Sequence, residues 1–240
     1  MPTDKIHTKE LNFLTIVPAR GGSKGVFRKN IRNVGDRPLI EWTIEAIQKS
    51  YLKDNFYIST EDKEIANISR KMNAKIIERP GNIAADTSQA IDVIHHAVSH
   101  AENINNITYD YIILLQPTSP MRSYIDINNA IDILIDKRPD SLVSVYKVED
   151  AHPARMYELQ NDYLKPLVNE GTSTRRQDLS DIFHRNGAIY ATSSKTLNEN
   201  NKIVAGKISA LIMPKNRSIN IDDEEDLMIA DYLISQLNNA

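Results

Sequence analysis

The sequence predicts an α/β fold built on a doubly wound, mostly parallel sheet. Three observations carry this expectation. Short apolar runs of strand length alternate with stretches whose apolar residues recur at helical spacing. The runs are continuously apolar, as in YIILL at 111–115, which suits strands covered by helices on both faces. Three loops rich in glycine, proline and polar residues each follow such a run, and open α/β sheets gather ligands outside the carboxyl ends of their strands.

Taken in order, residues 12–18 form a short apolar strand bounded by charge before it and glycine after it. Pro38 is placed to start a helix in which Leu39, Ile40, Ile44 and Ile47 recur through Ser50. Residues 55–59 are the next strand, and Asp62 caps a helix with Ile65, Ile68 and Met72 on one face. A brief strand at 75–77 leads into a loop over 78–86. Thr87 or Ser88 then caps a helix carrying Ile91, Ile94, Val98 and Ala101. Residues 110–115 are a strand, QPTSPMR a loop, Ile127 to Ile135 a helix, and 142–148 a further strand. From Asp150 to His184 the periodicity fails, and the section reads as short strands or loops inserted into the core. Regular structure resumes with a strand at 188–192, a short helix from Ser193, and a strand at 208–213. SINI at 218–221 reads as a short edge strand, and a last helix spans 223–237.

The chain has 240 residues, 41% hydrophobic and 25% charged, and a net charge of −3. That is one large domain, 1–240, with an insertion at about 150–186. The acidic balance argues against a general nucleic-acid binder. With no cysteine, disulfides, thiolate nucleophiles and cysteine metal sites are excluded. The absence fits a reducing cytoplasm. MPTDKIHTKE has no apolar leader region, and no run reaches the length of a membrane span, so no membrane role is expected.

The stretch IVPARGGSKGVFRKN at 16–30 carries the first chemical signal. Gly21, Gly22 and Gly25 allow a backbone that turns N–H groups inward, and Arg20, Lys24, Arg28 and Lys29 add positive charge. Together they describe a triphosphate cradle or a solvated basic turn. The spacing matches neither GxxxxGK[ST] nor GxGxxG, which lowers both of those readings.

PARGGSKGVFRKN, ERPGNIAADTS, LLQPTSPMR, RRQD, NGAIY and NIDDEEDL occur in the order and approximate spacing of the acylneuraminate cytidylyltransferases. The chain resembles that family, which includes the synthetases of CMP-sialic, CMP-legionaminic and CMP-pseudaminic acids, from about residue 12 to 237. The resemblance implies a Rossmann-like core of the nucleotide-diphospho-sugar transferase type and an inserted dimerisation region. It also implies a magnesium cofactor, and cytidylyl transfer from CTP to a nonulosonic acid. A homodimer with a shared active site follows from the same likeness.

By the same resemblance, Arg20 and Lys29 hold the triphosphate, aided by Gly21, Gly22, Ser23 and Lys24, while Asn30 contacts the nucleotide. Arg28 is a helper or a solvated charge. Arg79 matches a nucleotide-pocket arginine, and Ser88 and Gln89 fall at cytidine contacts; Ala90 stands where some relatives have serine. Gln116 faces the sugar acid, with Thr118 and Ser119 as alternatives, and Arg122 is read as an ion pair below the loop. Arg176 supplies the fork for the substrate carboxylate, with Arg175 beside it. Arg155 sits where relatives carry a lysine that reaches the partner subunit, and His184 replaces an arginine of some relatives. Asn186 and Tyr190 match sugar-facing positions, Tyr190 equally a packing residue.

Relatives usually show Asp-Ile-Asp before the last helix, where this chain has Asn220-Ile221-Asp222. Asp222 is therefore the principal metal ligand and Asn220 a weaker one. Strand alternation would put both on one face. Ile203 and Val204 fall where some relatives have aromatic residues, which implies room for a di-N-acyl sugar such as legionaminic acid. The alternatives are an octulosonate cytidylyltransferase, a sugar-1-phosphate nucleotidylyltransferase, and an inactive module that binds CTP or a CMP-sugar, the last supported by Asn220 alone.

Overall fold

A computed structural model of the chain describes residues 11–23, 25–83, 90–168 and 179–238. Strand β1 (Phe13–Pro18) leads through the glycine loop to the two-residue strands β2 (Asn33–Val34) and β3 (Arg37–Pro38). Then come α1 (Leu39–Gln48), β4 (Phe56–Thr60), α2 (Lys63–Lys71) and β5 (Lys75–Glu78). They are followed by α3 (Ala90–Asn105), β6 (Tyr111–Leu114), α4 (Tyr124–Lys137) and β7 (Ser141–Lys147). The insertion contributes a hairpin of β8 (Tyr157–Gln160) and β9 (Tyr163–Pro166). The chain closes with β10 (Phe183–Ser193), α5 (Ser194–Asn200), β11 (Ile208–Ile212) and α6 (Glu224–Asn238).

Seven strands form one sheet in the order β11-β7-β10-β6-β1-β4-β5. β1 pairs in parallel with β4 and β6, β4 with β5, and β7 with β11, while β10 alone runs against its neighbours. Alternation along each strand divides the side chains between two cores. On β6, Tyr111 and Ile113 join Ile40, Ile44, Ile65, Ile131 and Leu134 of α1, α2 and α4. Ile112 and Leu114 face Ile91, Ile94 and Ala97 of α3 and Leu197 of α5. A third cluster seats α6 beneath the first loop, with Leu227, Ala230 and Ile234 against Val26, Val34 and Ile221.

The helix starts follow from local chemistry. Asp62 accepts hydrogen bonds from the N–H groups of Glu64 and Ile65, as the sequence predicts, and Ser123 with Asp126 forms a reciprocal cap on α4. The helix cap expected at Thr87 or Ser88 lies outside the described residues. No described helix is long and apolar enough to cross a membrane.

Two expectations are corrected. Residues 218–221 are not a strand; the segment makes a backbone bond from Ile221 N–H to Thr118 carbonyl (2.8 Å), without the ladder an edge strand needs. The irregular section also ends earlier than His184, because β10 starts at Phe183 and pairs His184 with Tyr146 of β7. A register shift between Arg185 and Tyr190 broke the alternation by which that strand would have been legible. Since β1, β4, β5 and β6 are parallel neighbours, their carboxyl ends open onto one edge, where the polar loops gather.

Candidate active site

A cavity of about 410 Å³ lies at that edge. Arg20, Gly22, Ser23, Lys29, Asn30, Asn220 and Asp222 contribute its polar lining. Ile83, Val93, Ile94 and Leu114 give it an apolar part, and Arg79, Gln116 and Thr118 also line it. Residues from both ends of the chain and from three strand-following loops therefore share one space, as the sequence leads one to expect.

The turn between β4 and α2 holds the glycine loop at two points. Gly21 N–H donates to Glu61 Oε1 at 2.7 Å, and Arg28 donates to Asp62 at 2.9 and 3.1 Å and pairs with Glu64 at 3.2 Å. Arg28 is thus a brace for the loop. The Gly21 N–H is directed to Glu61, which corrects the expectation that it serves the phosphate cradle. Its lack of a side chain is required for another reason: a Cβ there would stand 2.5 Å from Asp62 Oδ2. Gly25 is tighter still, since a Cβ would fall 1.9 Å from the Asp222 carbonyl oxygen.

Lys29 completes this junction. Its buried ammonium donates to the carbonyls of Ile221 (2.6 Å) and Asp222 (3.2 Å) and lies 3.8 Å from the Asp222 carboxylate. A lysine from the first loop thereby holds the segment before the last helix. Asn30 donates to the Arg20 carbonyl at 2.9 Å, fixing the backbone from which Arg20 reaches the cavity. Arg79 is buried and donates to the Ser59 carbonyl (2.8 Å) and hydroxyl (3.4 Å), with Glu61 at 3.6 Å from Nη1. Burial pushes its guanidinium pKa down, Glu61 opposes that, and the charge of Arg20 adds to it.

Asn220 links two loops: its amide oxygen accepts from the Thr118 hydroxyl (2.7 Å), and its nitrogen donates to Asp222 Oδ2 (2.8 Å). The reverse orientation would set the amide oxygen against the Asp222 carboxylate. Asn220 and Asp222 do come together, although through this bond rather than through strand alternation. Gly187, at φ +75°, lets β10 pass close by; a Cβ would lie 3.0 Å from Asn220 Oδ1 and 3.1 Å from Gln116 Oε1. Among the described residues no three His, Asp or Glu side chains gather around a possible metal. Asn220 is corrected as a metal ligand, because its amide oxygen is taken by Thr118 and its nitrogen faces Asp222. The single Asp222 carboxylate fits magnesium that arrives with nucleotide phosphates, since magnesium keeps several waters and takes few protein ligands.

Among the described residues Arg122 forms no salt bridge, which corrects the ion pair expected below the loop. Its guanidinium donates to the carbonyls of Gln116 (3.0 Å) and Ala188 (2.9 Å) and to the Thr43 hydroxyl (2.7 Å), tying the Gln116 loop to β10 and α1. Full burial pushes its pKa down to about 10. Asn186 is corrected as a sugar contact. Its amide is committed below the cavity, donating to Ser218 Oγ (2.9 Å) and accepting from Ser144 Oγ (2.6 Å) and Ala188 N–H (3.2 Å). Tyr190 is half-buried against the α3-side core, and so is Ile203. Neither is part of the cavity lining. Arg155 lines a separate cavity with Lys147, His152 and Asp181 and pairs with Asp150 at 2.9 Å. His184 is exposed and lies against the ring of Tyr146, with centroids 5.5 Å apart. Lys24, Ser88, Gln89, Arg175 and Arg176 lie outside the described residues.

Sequence reasoning missed Glu61. The available signal was its position: it directly follows a strand whose carboxyl end faces the ligand edge, yet only its neighbour Asp62 was read, as a helix cap.

A family model described as "Cytidylyltransferase" matches residues 14–212. The post-translational flagellin modification protein B of Campylobacter coli is 29% identical over 226 residues, covering 94% of this chain and 96% of that protein. The pseudaminic acid cytidylyltransferase of Campylobacter jejuni subsp. jejuni serotype O:2 is 30% identical over 221 residues, covering 92% and 95%. The solved structure of CMP:2-keto-3-deoxy-manno-octonic acid synthetase complexed with CTP superposes with a TM-score of 0.67 at 15% identity, over 94% of this chain and 99% of that one. This last likeness is one of fold.

Proposed function

The chain belongs to the cytidylyltransferase family and is thus a nucleotidyltransferase, and from that premise we propose that it activates a nonulosonic acid with CTP. The reaction forms a bond between the anomeric oxygen of the acid and the α-phosphorus, and breaks the bond from that phosphorus to the bridging oxygen, releasing pyrophosphate. The observation that carries the reading is the junction of Lys29 with Asp222 at the rim of a cavity that Gln116 also lines. A fixed cation, a carboxylate and an amide donor–acceptor meet there around a space with an apolar part for a base. The relative that acts on pseudaminic acid supports the substrate class.

Charge grows on phosphoryl oxygens and on the leaving pyrophosphate, so fixed positive charge and positioning do most of the catalytic work. Arg20 and Lys29 face that charge, with Gly22 and Ser23 beside them, and Asn30 steadies Arg20. Arg79 forms the cavity wall between the charged and apolar parts. Gln116 donates and accepts at once, which suits a carboxylate beside a hydroxyl. Arg176 is assigned the substrate carboxylate through its RRQD motif, and Ser88 and Gln89 the cytidine. Asp222, oriented by the Asn220 amide, would hold magnesium, which when bound neutralises and aligns the triphosphate.

The β8–β9 hairpin presents exposed Leu159, Tyr163 and Leu164, with Leu167 and Phe183 also exposed. Leu159 and Leu164 are directly paired across the hairpin. Exposed apolar side chains of this kind suit an interface between copies of this chain, so the enzyme is assigned as a homodimer in which Arg155 completes the partner's site. A cytoplasmic location is part of the proposal, in keeping with the use of CTP. A di-N-acyl sugar is favoured by the pseudaminic acid relative alone, because Ile203 packs in the core and does not line the cavity.

The test is a panel of sialic, legionaminic, pseudaminic and octulosonic acids, each with CTP and magnesium, read by pyrophosphate release. Release with a nine-carbon acid supports the reading. Release with octulosonic acid alone, or with a sugar 1-phosphate, would move the chain to another branch of the family, and preference for N-acetylneuraminic acid in competition would refute the di-N-acyl assignment.

A further inference from the structure

We infer that Glu61 is a positioning residue for the nucleotide, holding the first loop and Arg79 in one frame; the inference rests on the CTP-dependent reading above. Its two carboxylate oxygens do different things. Oε1 accepts the Gly21 N–H at 2.7 Å, and Oε2 stands 3.6 Å from Arg79 Nη1. The two partners lie just beyond the carboxyl ends of different strands, β1 and β5, and Glu61 directly follows the strand between them, β4.

Each contact answers a specific need. Arg79 is buried, and its hydrogen-bond acceptors among the described residues, the Ser59 carbonyl and hydroxyl, are neutral. Arg20 lines the same cavity and its charge repels that of Arg79. A buried guanidinium beside a second cation requires a counter-charge to keep its place, and Glu61 provides one. The Gly21 contact decides which loop groups face the cavity. With Gly21 N–H turned to Glu61, it is Gly22 and Ser23 that line the cavity. Gly21 is wedged against Asp62 as well, so the loop cannot rotate about this point without losing the Glu61 bond. Glu61 thus sets both the wall and the entry of the nucleotide site from a position on its edge.

A simpler electrostatic view predicts the opposite, since a carboxylate near a triphosphate repels it and its removal would tighten binding. Direct binding of CTP to the whole protein by calorimetry, without a sugar acid, separates the two. Glu61→Ala is expected to weaken CTP binding by about tenfold or more, because truncating one member of a buried charge pair leaves the other uncompensated. Glu61→Gln, which can still accept from Gly21, is expected to fall in between, at about threefold to fivefold. Glu78→Gln, which removes an exposed carboxylate paired with Arg70, should leave CTP affinity within about twofold. In steady state the loss should appear in KM for CTP and leave KM for the acid unchanged, as a general loss of structure would not. Unchanged or tighter CTP binding by Glu61→Gln, with its melting temperature preserved, overturns the inference even if Glu61→Ala fails to fold. Failure of the wild-type protein to bind CTP would instead count against the functional reading itself.

Discussion

Two residues bear most on the chemistry. Lys29 is both a cavity cation and the tether of the 220–222 segment, so its loss removes charge and geometry together. Lys29→Ala is expected to lower kcat by about a hundredfold or more, the scale on which fixed donors act in transition states; near-normal pyrophosphate release would refute the assignment. Its double role was half legible. A basic residue in a glycine loop signals phosphate, whereas its carbonyl partners lie 192 and 193 positions away and leave no local trace. Asn220 was legible as a departure from a likeness, and the geometry supplies its task, since its amide orients Asp222 and takes the Thr118 hydroxyl. Asn220→Asp would set two carboxylates side by side. It should lower the melting temperature without magnesium and enlarge the stabilisation magnesium gives, while changing saturated turnover by less than about fivefold. A large gain in turnover from near zero would show instead that the natural site is degenerate.

At the scale of elements, the segment before α6 is held from α4 as well as from Lys29. Arg217 pairs with Asp126, donating from Nη2 at 3.0 Å and more closely from Nη1, and Asp126 also closes the cap of α4. Burial pushes the Asp126 carboxyl up, but hydrogen bonds from Arg217 and Ser123 outweigh this and hold it below its ordinary value of 3.8. A depressed carboxylate stabilises the fold fully above its unfolded value, and that contribution is lost as pH falls through the lowered folded value. Asp126→Asn should therefore flatten the acid limb of a stability-against-pH curve and cost ~2 kcal/mol at neutral pH. An unchanged acid limb would show that Asp126 does not drive it. Periodicity made most helices and parallel strands legible, because Ile, Leu and Val face two cores in regular alternation. It failed where the backbone does: β10 contains a register shift, and residues 218–221 have no ladder partner to impose alternation.

For the whole molecule, the order of strands explains why distant motifs share one cavity, and motif order foreshadowed that convergence while the contacts within it did not show. Asn186 and Arg28 carry plausible ligand chemistry in the sequence, and Arg122 reads there as an ion pair. Each is committed to carbonyls, hydroxyls or carboxylates that only the folded chain brings near. The exposed apolar hairpin offers a test of the proposed homodimer. Leu164→Asp should shift the molecular mass in solution from dimer to monomer and reduce turnover, because Arg155 then no longer reaches a partner; a dimer of unchanged mass would remove the hairpin from the interface. The central claim is tested most directly by phosphorus NMR of the wild-type protein with CTP, magnesium and one nonulosonic acid at a time. The account predicts equal growth of pyrophosphate and of a single CMP-sugar phosphodiester signal, dependent on a nine-carbon acid. CTP that stays intact with every such acid, in the presence of folded protein, would contradict it.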